Sequence, residues 1–281
     1  MQFFKYQGAG NDFVMVDQRQ RQTLGRGNTR GIAFLCDRHF GIGADGLILL
    51  QNHDALDFEM IYFNADGRES TMCGNGGRCI AAFAKHLGIQ NKAGIYHFLA
   101  IDGEHQAALP YSTGPGGEWV ELKMNDVSFI EKVVSANCPA FVLNTGSPHY
   151  VRFVQDTDIL DVKQEGRAVR YSERFEKEGI NVNFVREKEG RLLIRTYERG
   201  VEDETLACGT GVTAAAIASF IESKKSPGKQ EIPVRARGGD LMVRFTAQGN
   251  GSFTDIWLCG PAQKDPGWRQ YHLWGETGSR I

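Results

Sequence analysis

The chain repeats itself once, and that repeat limits its fold more than any single motif does. Cys73-Gly74-Asn75-Gly76, followed by the small-residue run Cys79-Ile80-Ala81-Ala82-Phe83-Ala84, resembles Cys208-Gly209-Thr210-Gly211, followed by Thr213-Ala214-Ala215-Ala216-Ile217-Ala218. The two cysteines are 135 residues apart. Gly10, which opens Asn11-Asp12-Phe13-Val14-Met15-Val16, lies 136 residues before Gly146, which opens Ser147-Pro148-His149-Tyr150-Val151. Gly103-Glu104 and Gly239-Asp240 keep the offset of 136, as do Val120 and Leu122 with Ile256 and Leu258. Gly41-Ile42 and Gly179-Ile180 match at a slightly larger shift. Any one match is weak, because Gly and Ala are common; their order and near-constant offset point to two similar halves, about 1–126 and 137–262. A short linker is expected around 127–136, and residues 263–281 have no counterpart. As domains this reads 1–126, carrying Cys73, and 127–281, carrying Cys208 with an atypical tail from about 263.

Within each half the patterning is mixed. Strands are expected at Phe13–Asp17, Leu47–Leu50 and Phe58–Phe63, and again at Tyr150–Val154, Val182–Val185 and Leu192–Tyr197. Hairpins are expected around Gly103 and Gly116-Gly117, then around Gly239 and Gly249–Gly251. Helices are expected at about Arg30–Arg38, Cys73–Leu87, Ser172–Glu178 and Cys208–Ser223. Strands follow strands through short turns instead of alternating with helices. The fold class is therefore α+β: two pseudo-symmetric halves, each an antiparallel-rich sheet wrapped around a central helix, with the active site expected in the cleft between them.

Composition excludes several classes. With 41% hydrophobic and 23% charged residues the chain can bury a core, which rules out disorder, collagen and coiled coil. Lys plus Arg number 32 against 34 Asp plus Glu, so no basic excess points to nucleic acid or an anionic membrane as partner. The 34 glycines are about 12% of the chain against a usual value of about 7%, so many backbone positions need left-handed turns or a close approach. Met1–Tyr6 lacks the apolar core of a signal peptide, and the uncharged stretch Thr205–Ile221 is too short and too weakly apolar to span a membrane. A soluble cytoplasmic protein is expected. Its six cysteines (36, 73, 79, 138, 208 and 259) would then sit in a reducing compartment, and they form no C-x-x-C pair.

The two C-G-x-G segments carry the chemistry. Glycines leave backbone N–H groups open to a ligand, and the helix that follows turns its positive end toward them, so each segment suits a carboxylate. A cysteine at a helix start has its thiolate stabilised, which lowers its pKa from about 8.5 toward neutrality. One such cysteine from each half suits inversion at a carbon next to a carboxylate. One thiolate removes the α-proton from one face and the other thiol delivers a proton to the opposite face. The N–H groups stabilise the enolate-like charge, and neither a metal nor a cofactor is needed. Cys79 lies six residues further on, off the helix start and off the face of Cys73, and reads as packing. Gly41-Ile42-Gly43-Ala44-Asp45-Gly46 matches a dinucleotide fingerprint, but it follows a helix-like segment and precedes a strand, the reverse of the required order. Cys36, His39, Cys73 and Cys79 match no familiar zinc spacing.

Gly8-Ala9-Gly10-Asn11-Asp12-Phe13, Phe63-Asn64-Ala65-Asp66-Gly67, Met72-Cys73-Gly74-Asn75-Gly76-Gly77-Arg78-Cys79, Tyr197-Glu198-Arg199-Gly200 and Ala207-Cys208-Gly209-Thr210-Gly211 together resemble the diaminopimelate epimerase family, in order along nearly the whole chain. The resemblance implies cofactor-independent, PLP-independent interconversion of LL- and meso-diaminopimelate in lysine and peptidoglycan precursor biosynthesis, by a cytoplasmic homodimer. It implies that Cys73 and Cys208 are the acid/base pair. Gly74, Asn75, Gly209 and Thr210 would hold the reacting carboxylate and amine region, and Asn11, Asn64, Asn181 and Arg199 the far end. His149 and Glu198 would tune the cysteines and contact the amino group. An arginine for a second carboxylate and neutral amides for orientation suit such a substrate. Three places depart from the family pattern. Ser147 stands where many members have asparagine, Gly46 where some have glutamine, and the segment from Lys264 onward lacks the usual ending. The alternatives are a proline racemase or hydroxyproline epimerase, which usually carry a histidine where this chain has Asn75, and a non-catalytic amino-acid-binding scaffold or phenazine-pathway-like isomerase, which could dispense with the cysteines.

Overall fold

Strands Leu47–Leu50 and Val14–Val16 are buried at every position, which a half-solvated strand would not be. Both faces of this sheet are covered, and two helices of different character do the covering. The computed structural model describes residues 1–135, 138–265 and 271–272. The first repeat contains β1 (Gln2–Gly8), β2 (Asn11–Asp17), α1 (Thr29–Cys36), β3 (Gly46–Gln51), β4 (Phe58–Asn64), α2 (Gly74–His86), β5 (Ile95–Ala100), β6 (Gly103–Gly114) and β7 (Gly117–Lys123). The second contains β8 (Ile130–Ser135), β9 (Cys138–Asn144), β10 (Pro148–Phe153), α3 (Val162–Arg170), β11 (Asn181–Lys188), β12 (Arg191–Glu198), β13 (Asp203–Thr205), α4 (Gly209–Glu222), β14 (Gly228–Ala236), β15 (Gly239–Ala247) and β16 (Phe253–Lys264). A short β17 (Tyr271–His272) pairs with β1.

The repeat extends to the register. β1–β2 and β3–β4 are antiparallel around a parallel β2–β3 pair, and β9–β10 and β11–β12 are antiparallel around a parallel β10–β11 pair. Phe13 faces Gly46 in the first as His149 faces Asn181 in the second. Phe58 faces Phe98 in the parallel β4–β5 pair as Leu192 faces Val234 in β12–β14. The contacts divide the chain into two compact units, Met1–Val120 with Pro261–Ile281 and Glu121–Gly260. Residues 261–265, read from sequence with the second half, lie with the first unit: Gln263 and Lys264 pair with Gln7 and Tyr6 of β1. Of the tail, residues 266–270 and 273–281 lie outside the described residues.

In each unit one helix, α2 in the first and α4 in the second, is buried nearly all round. From Gly74 to Ala84 every residue of α2 is buried, and in α4 so are Gly209 and Gly211 to Phe220. Small residues let these helices lie against the sheet, as a helix with no polar face requires. The other sheet face of the first unit packs Val14, Val16, Leu47, Leu49, Ile61 and Phe63 against Ile32 and Leu35 of α1. Its counterpart in the second packs Tyr150, Val182, Phe184 and Tyr197 against Val162 of α3.

Two expectations need correction. The helix expected at Ser172–Glu178 is a run of turns, and the helix lies before it at Val162–Arg170. Asp161 caps it by accepting from the Gln164 N–H, and basic Arg167 and Arg170 sit in its last turn. With only two buried residues, Val162 and Gly166, this mostly polar helix offers few apolar positions for the sequence to reveal it. The linker expected at 127–136 contains β8, which pairs antiparallel with β9 from Ile130↔Leu143 to Ser135↔Cys138. Residue 136 lies outside the described residues.

Gly67, in the segment after β4, has φ +81, and an added Cβ would run into the Thr29 carbonyl at the start of α1. Gly67→Ala is therefore expected to lower unfolding stability by about 2–4 kcal/mol, read from urea midpoints, through backbone strain and a clash that a carbonyl cannot yield to.

Candidate active site

In the first unit, α2 begins at Cys73, whose backbone is extended (φ −86, ψ 130). The Gly77 N–H makes the first helical bond to the Cys73 carbonyl at 2.7 Å, so the N–H groups of residues 74–76 point out of the helix end. Cys73 is half-buried there. Asn75 in the first turn donates to Asn11 Oδ1 at 2.5 Å and accepts from Arg78 at 2.9 Å; Asn11 in turn donates to Asp45 at 2.9 Å. A guanidinium only donates and a carboxylate only accepts, so the two ends orient both amides between them. Arg38 bridges Asp45 and Asp12, each at 2.7 Å, and Lys5 also reaches Asp12, at 2.6 Å. These hydrogen bonds and cations hold the Asp12 carboxyl below its usual range against the opposing effect of burial. Asn64 ends β4 opposite Gly46, which itself pairs with Phe13, so Asn11 and Asn64 lie at the same end of three adjacent strands. Asn64 is exposed. Gly46 leaves no room for a side chain, since a Cβ would meet the Phe63 carbonyl and the Tyr62 ring. Cys79 is fully buried and its thiol is pushed up to about 12 by desolvation, a protonated packing group.

In the second unit, α4 begins at Cys208 with the same geometry (φ −110, ψ 111), and the Val212 N–H bonds its carbonyl at 2.9 Å. Cys208 Sγ lies 3.5 Å from Thr210 Oγ1. Thr210 Oγ1 is 2.8 Å from His149 Nε2, and Ser147 Oγ lies 2.9 Å from that nitrogen and 3.1 Å from Thr210 Oγ1. His149 is fully buried, and burial first, then the Arg199 charge, bring its pKa down to about 3, so the ring is neutral. Asn181 donates to Ser147 Oγ at 3.2 Å and to the Pro148 carbonyl at 3.1 Å, and accepts from the Arg199 N–H at 2.9 Å. The Arg199 guanidinium is exposed and donates to the Glu178 carbonyl at 2.9 Å. Glu198 accepts from Thr205 Oγ1 at 2.7 Å.

Cys73, Gly74, Asn75 and Asn11 thus come together in the first unit with Asn64 at the same strand ends. Cys208, Gly209, Thr210, His149, Asn181 and Arg199 come together in the second, and Glu198 ends β12 directly before Arg199. Ser147, a departure expected from the sequence, supplies a hydroxyl shared by His149, Thr210 and Asn181. Sequence reasoning missed Asn183, which donates to His149 Nδ1 at 3.1 Å, and Thr196, which donates to Asn183 Oδ1 at 2.9 Å. A signal was present: Asn181 and Asn183 alternate within one strand and share a face. Among the described residues, no helix is long and apolar enough to cross a membrane.

A phenazine biosynthesis protein of the PhzF family from Bacillus anthracis superposes with a TM-score of 0.74 at 13% identity, over 98% of this chain and 99% of its own. A probable proline racemase from Agrobacterium radiobacter does so with a TM-score of 0.68 at 14% identity, over 97% and 92%. These likenesses establish the two-half α+β fold. By sequence, a diaminopimelate epimerase of Flavobacterium psychrophilum is 48% identical over 94% of this chain and 97% of its own length. That of Chlorobaculum tepidum is 42% identical over 91% and 96%. The sequence profile described as diaminopimelate epimerase matches residues 3–100 and 141–264, which include both cysteine helix starts and every residue of the two clusters. The chain belongs to the diaminopimelate epimerase family.

Proposed function

We propose that this chain is an isomerase that interconverts LL-2,6-diaminopimelate and meso-diaminopimelate without a cofactor, supplying lysine and peptidoglycan precursor synthesis. The observation that carries this reading is the pair of cysteines at the starts of two all-buried helices, at equivalent points of the repeat, in a chain 48% identical to a diaminopimelate epimerase. One thiolate takes the α-proton: an S–H bond forms, the Cα–H bond breaks, and its electron pair moves into the carboxylate as an enediolate. The other thiol gives its proton to the opposite face of the same carbon, so each turnover exchanges the protonation states of Cys73 and Cys208.

The N–H groups at Gly74, Asn75, Gly209 and Thr210 stabilise the charge that develops on the carboxylate, because they are aimed before the reaction and need no reorganisation. Arg199 takes the far carboxylate with its planar guanidinium, and Asn11, Asn64 and Asn181 orient that end. His149 and Glu198 act on the amino group and on the thiols. The homodimer is part of the same reading.

Proton NMR of LL-diaminopimelate in deuterated water with the reduced protein tests it. The expected result is loss of the α-proton signal at one centre as the meso isomer accumulates. An intact, reduced protein that leaves the α-protons of both isomers unexchanged refutes the reading, and proline and hydroxyproline are then the next substrates to try.

A further inference from the structure

The two halves are alike in register but not in chemistry behind their cysteines. His149, Asn183 and Thr196 of the second unit take the places that Phe13, Ile48 and Tyr62 take in the first. Gly76 of α2 lies over Ile48, where an added Cβ would stand 3.1 Å from Cδ1. Gly211 of α4 lies over Asn183 in the same way, and an added Cβ would strike Oδ1. The fold therefore accepts two apolar side chains and a tyrosine here, and the second unit instead buries a histidine, an asparagine and a threonine, Asn183 and His149 completely and Thr196 to 3% exposure. Buried polar groups are retained at a cost unless they hydrogen-bond well, and these do.

The direction of each bond follows from the partners. Asn183 Nδ2 lies 3.2 Å from the Tyr150 carbonyl, which can only accept, so the amide NH2 must face it. The same NH2 faces His149 Nδ1 at 3.1 Å, which leaves that nitrogen its lone pair and puts the ring proton on Nε2. Nε2–H then donates to the Thr210 and Ser147 hydroxyls, 2.8 and 2.9 Å away. A Thr210 hydroxyl that accepts from the imidazole is released to point its own proton at Cys208 Sγ, 3.5 Å away. With the opposite tautomer Nε2 would accept, and would draw the Thr210 proton away from the sulfur.

We propose that Asn183, clamped by Thr196 and the Tyr150 carbonyl, is a positioning residue that fixes His149 as the Nε2–H tautomer and so turns the Thr210 hydroxyl to donate a hydrogen bond to the Cys208 thiolate. Its role in turnover rests on the epimerase reading above; the tautomer and the reactivity of the thiol do not.

The test is imidazole 15N NMR of the whole protein, with Cys208 alkylation by iodoacetamide at neutral pH followed by peptide mass spectrometry. In the wild type His149 Nδ1 is expected to be pyridine-like and Nε2 pyrrole-like; the reverse assignment overturns the proposal without any variant. In Asn183→Asp the carboxylate accepts, and the tautomer is expected to invert. In Asn183→Ile, which carries the residue of the first unit and adds no charge, a mixture of tautomers is expected. Cys208 alkylation should slow about tenfold in it, the loss of one hydrogen bond to a thiolate. Unchanged tautomer in Asn183→Asp, or unchanged alkylation in a folded Asn183→Ile, overturns it. Because neither readout uses substrate, an inactive wild type would count against the epimerase reading alone. In the active enzyme kcat is expected to fall in Asn183→Ile with KM within about twofold, as for a group that acts through another.

Discussion

Alanine in place of Cys73 or of Cys208 is expected to cut conversion of LL- to meso-diaminopimelate by about 10³-fold or more, the range lost when a positioned acid or base is removed. Inversion needs a group on each face of the carbon, and neither half has a second titratable group at the same helix start: Asn75 and Thr210 hold those first turns. Cys79, further along α2, cannot substitute as the base, because burial pushes its thiol up to about 12 and leaves it protonated at neutral pH. The two single variants are also expected to differ in a way a structural defect would not produce. The thiolate that remains can still remove a proton and return it to the same face. Each variant should therefore exchange the α-proton of one stereoisomer in deuterated water with little conversion. NMR of both isomers with both variants separates this from unfolding, which stops all exchange. Conversion within tenfold of wild type in either variant would remove that cysteine from the mechanism.

The second large effect is on stability and comes from His149. Its folded pKa of about 3 lies well below the unfolded value near 6.5. Between those limits the unfolded chain binds a proton that the folded chain refuses, so stability falls as pH falls from about 6.5 toward 3. From pH 7 to pH 4 this contributes a loss of about 3 kcal/mol. His149→Phe, which places in the second unit the residue of the first, removes the titrating group while keeping an aromatic ring. Urea unfolding of both proteins at pH 7 and pH 4 is expected to show the smaller acid loss in the variant by about that amount. Equal losses would mean that His149 is already charged in the folded protein or solvated there. Paired carboxylates such as Asp12 and Glu204 are depressed in both proteins and cancel in the comparison.

Much of the arrangement was legible because it is local or repeated. Cysteine and two glycines ahead of a small-residue run mark a helix start, and the sequence placed α2 and α4 to within a residue at each end. The alternating and all-apolar runs placed β2, β3, β4, β10, β11 and β12, because burial on both faces leaves little freedom in composition. The helix α3 was displaced because it offers few apolar residues to read, and β8 was taken for a linker because it lies between the two spans that the repeat matches. The two site clusters were legible only as far as motif residues go. Asn11 and Asn75 are 64 residues apart and meet through the amide chain between Arg78 and Asp45, which no local pattern reveals.

By itself, the sequence determined two halves of one plan, a cysteine at an equivalent helix start in each, and membership of one enzyme family. All of these are properties of short segments and of their spacing. Only the tertiary structure decided where the halves differ. It sets Phe13, Ile48 and Tyr62 behind one helix start and His149, Asn183 and Thr196 behind the other, from three strands each. A hydrogen bond's direction depends on both partners, and here the links from Thr196 to Asn183, from Asn183 to His149 and from His149 to Thr210 each span 13 to 61 residues of chain. The state of the Cys208 thiol therefore belongs to the packed unit rather than to the motif that contains it.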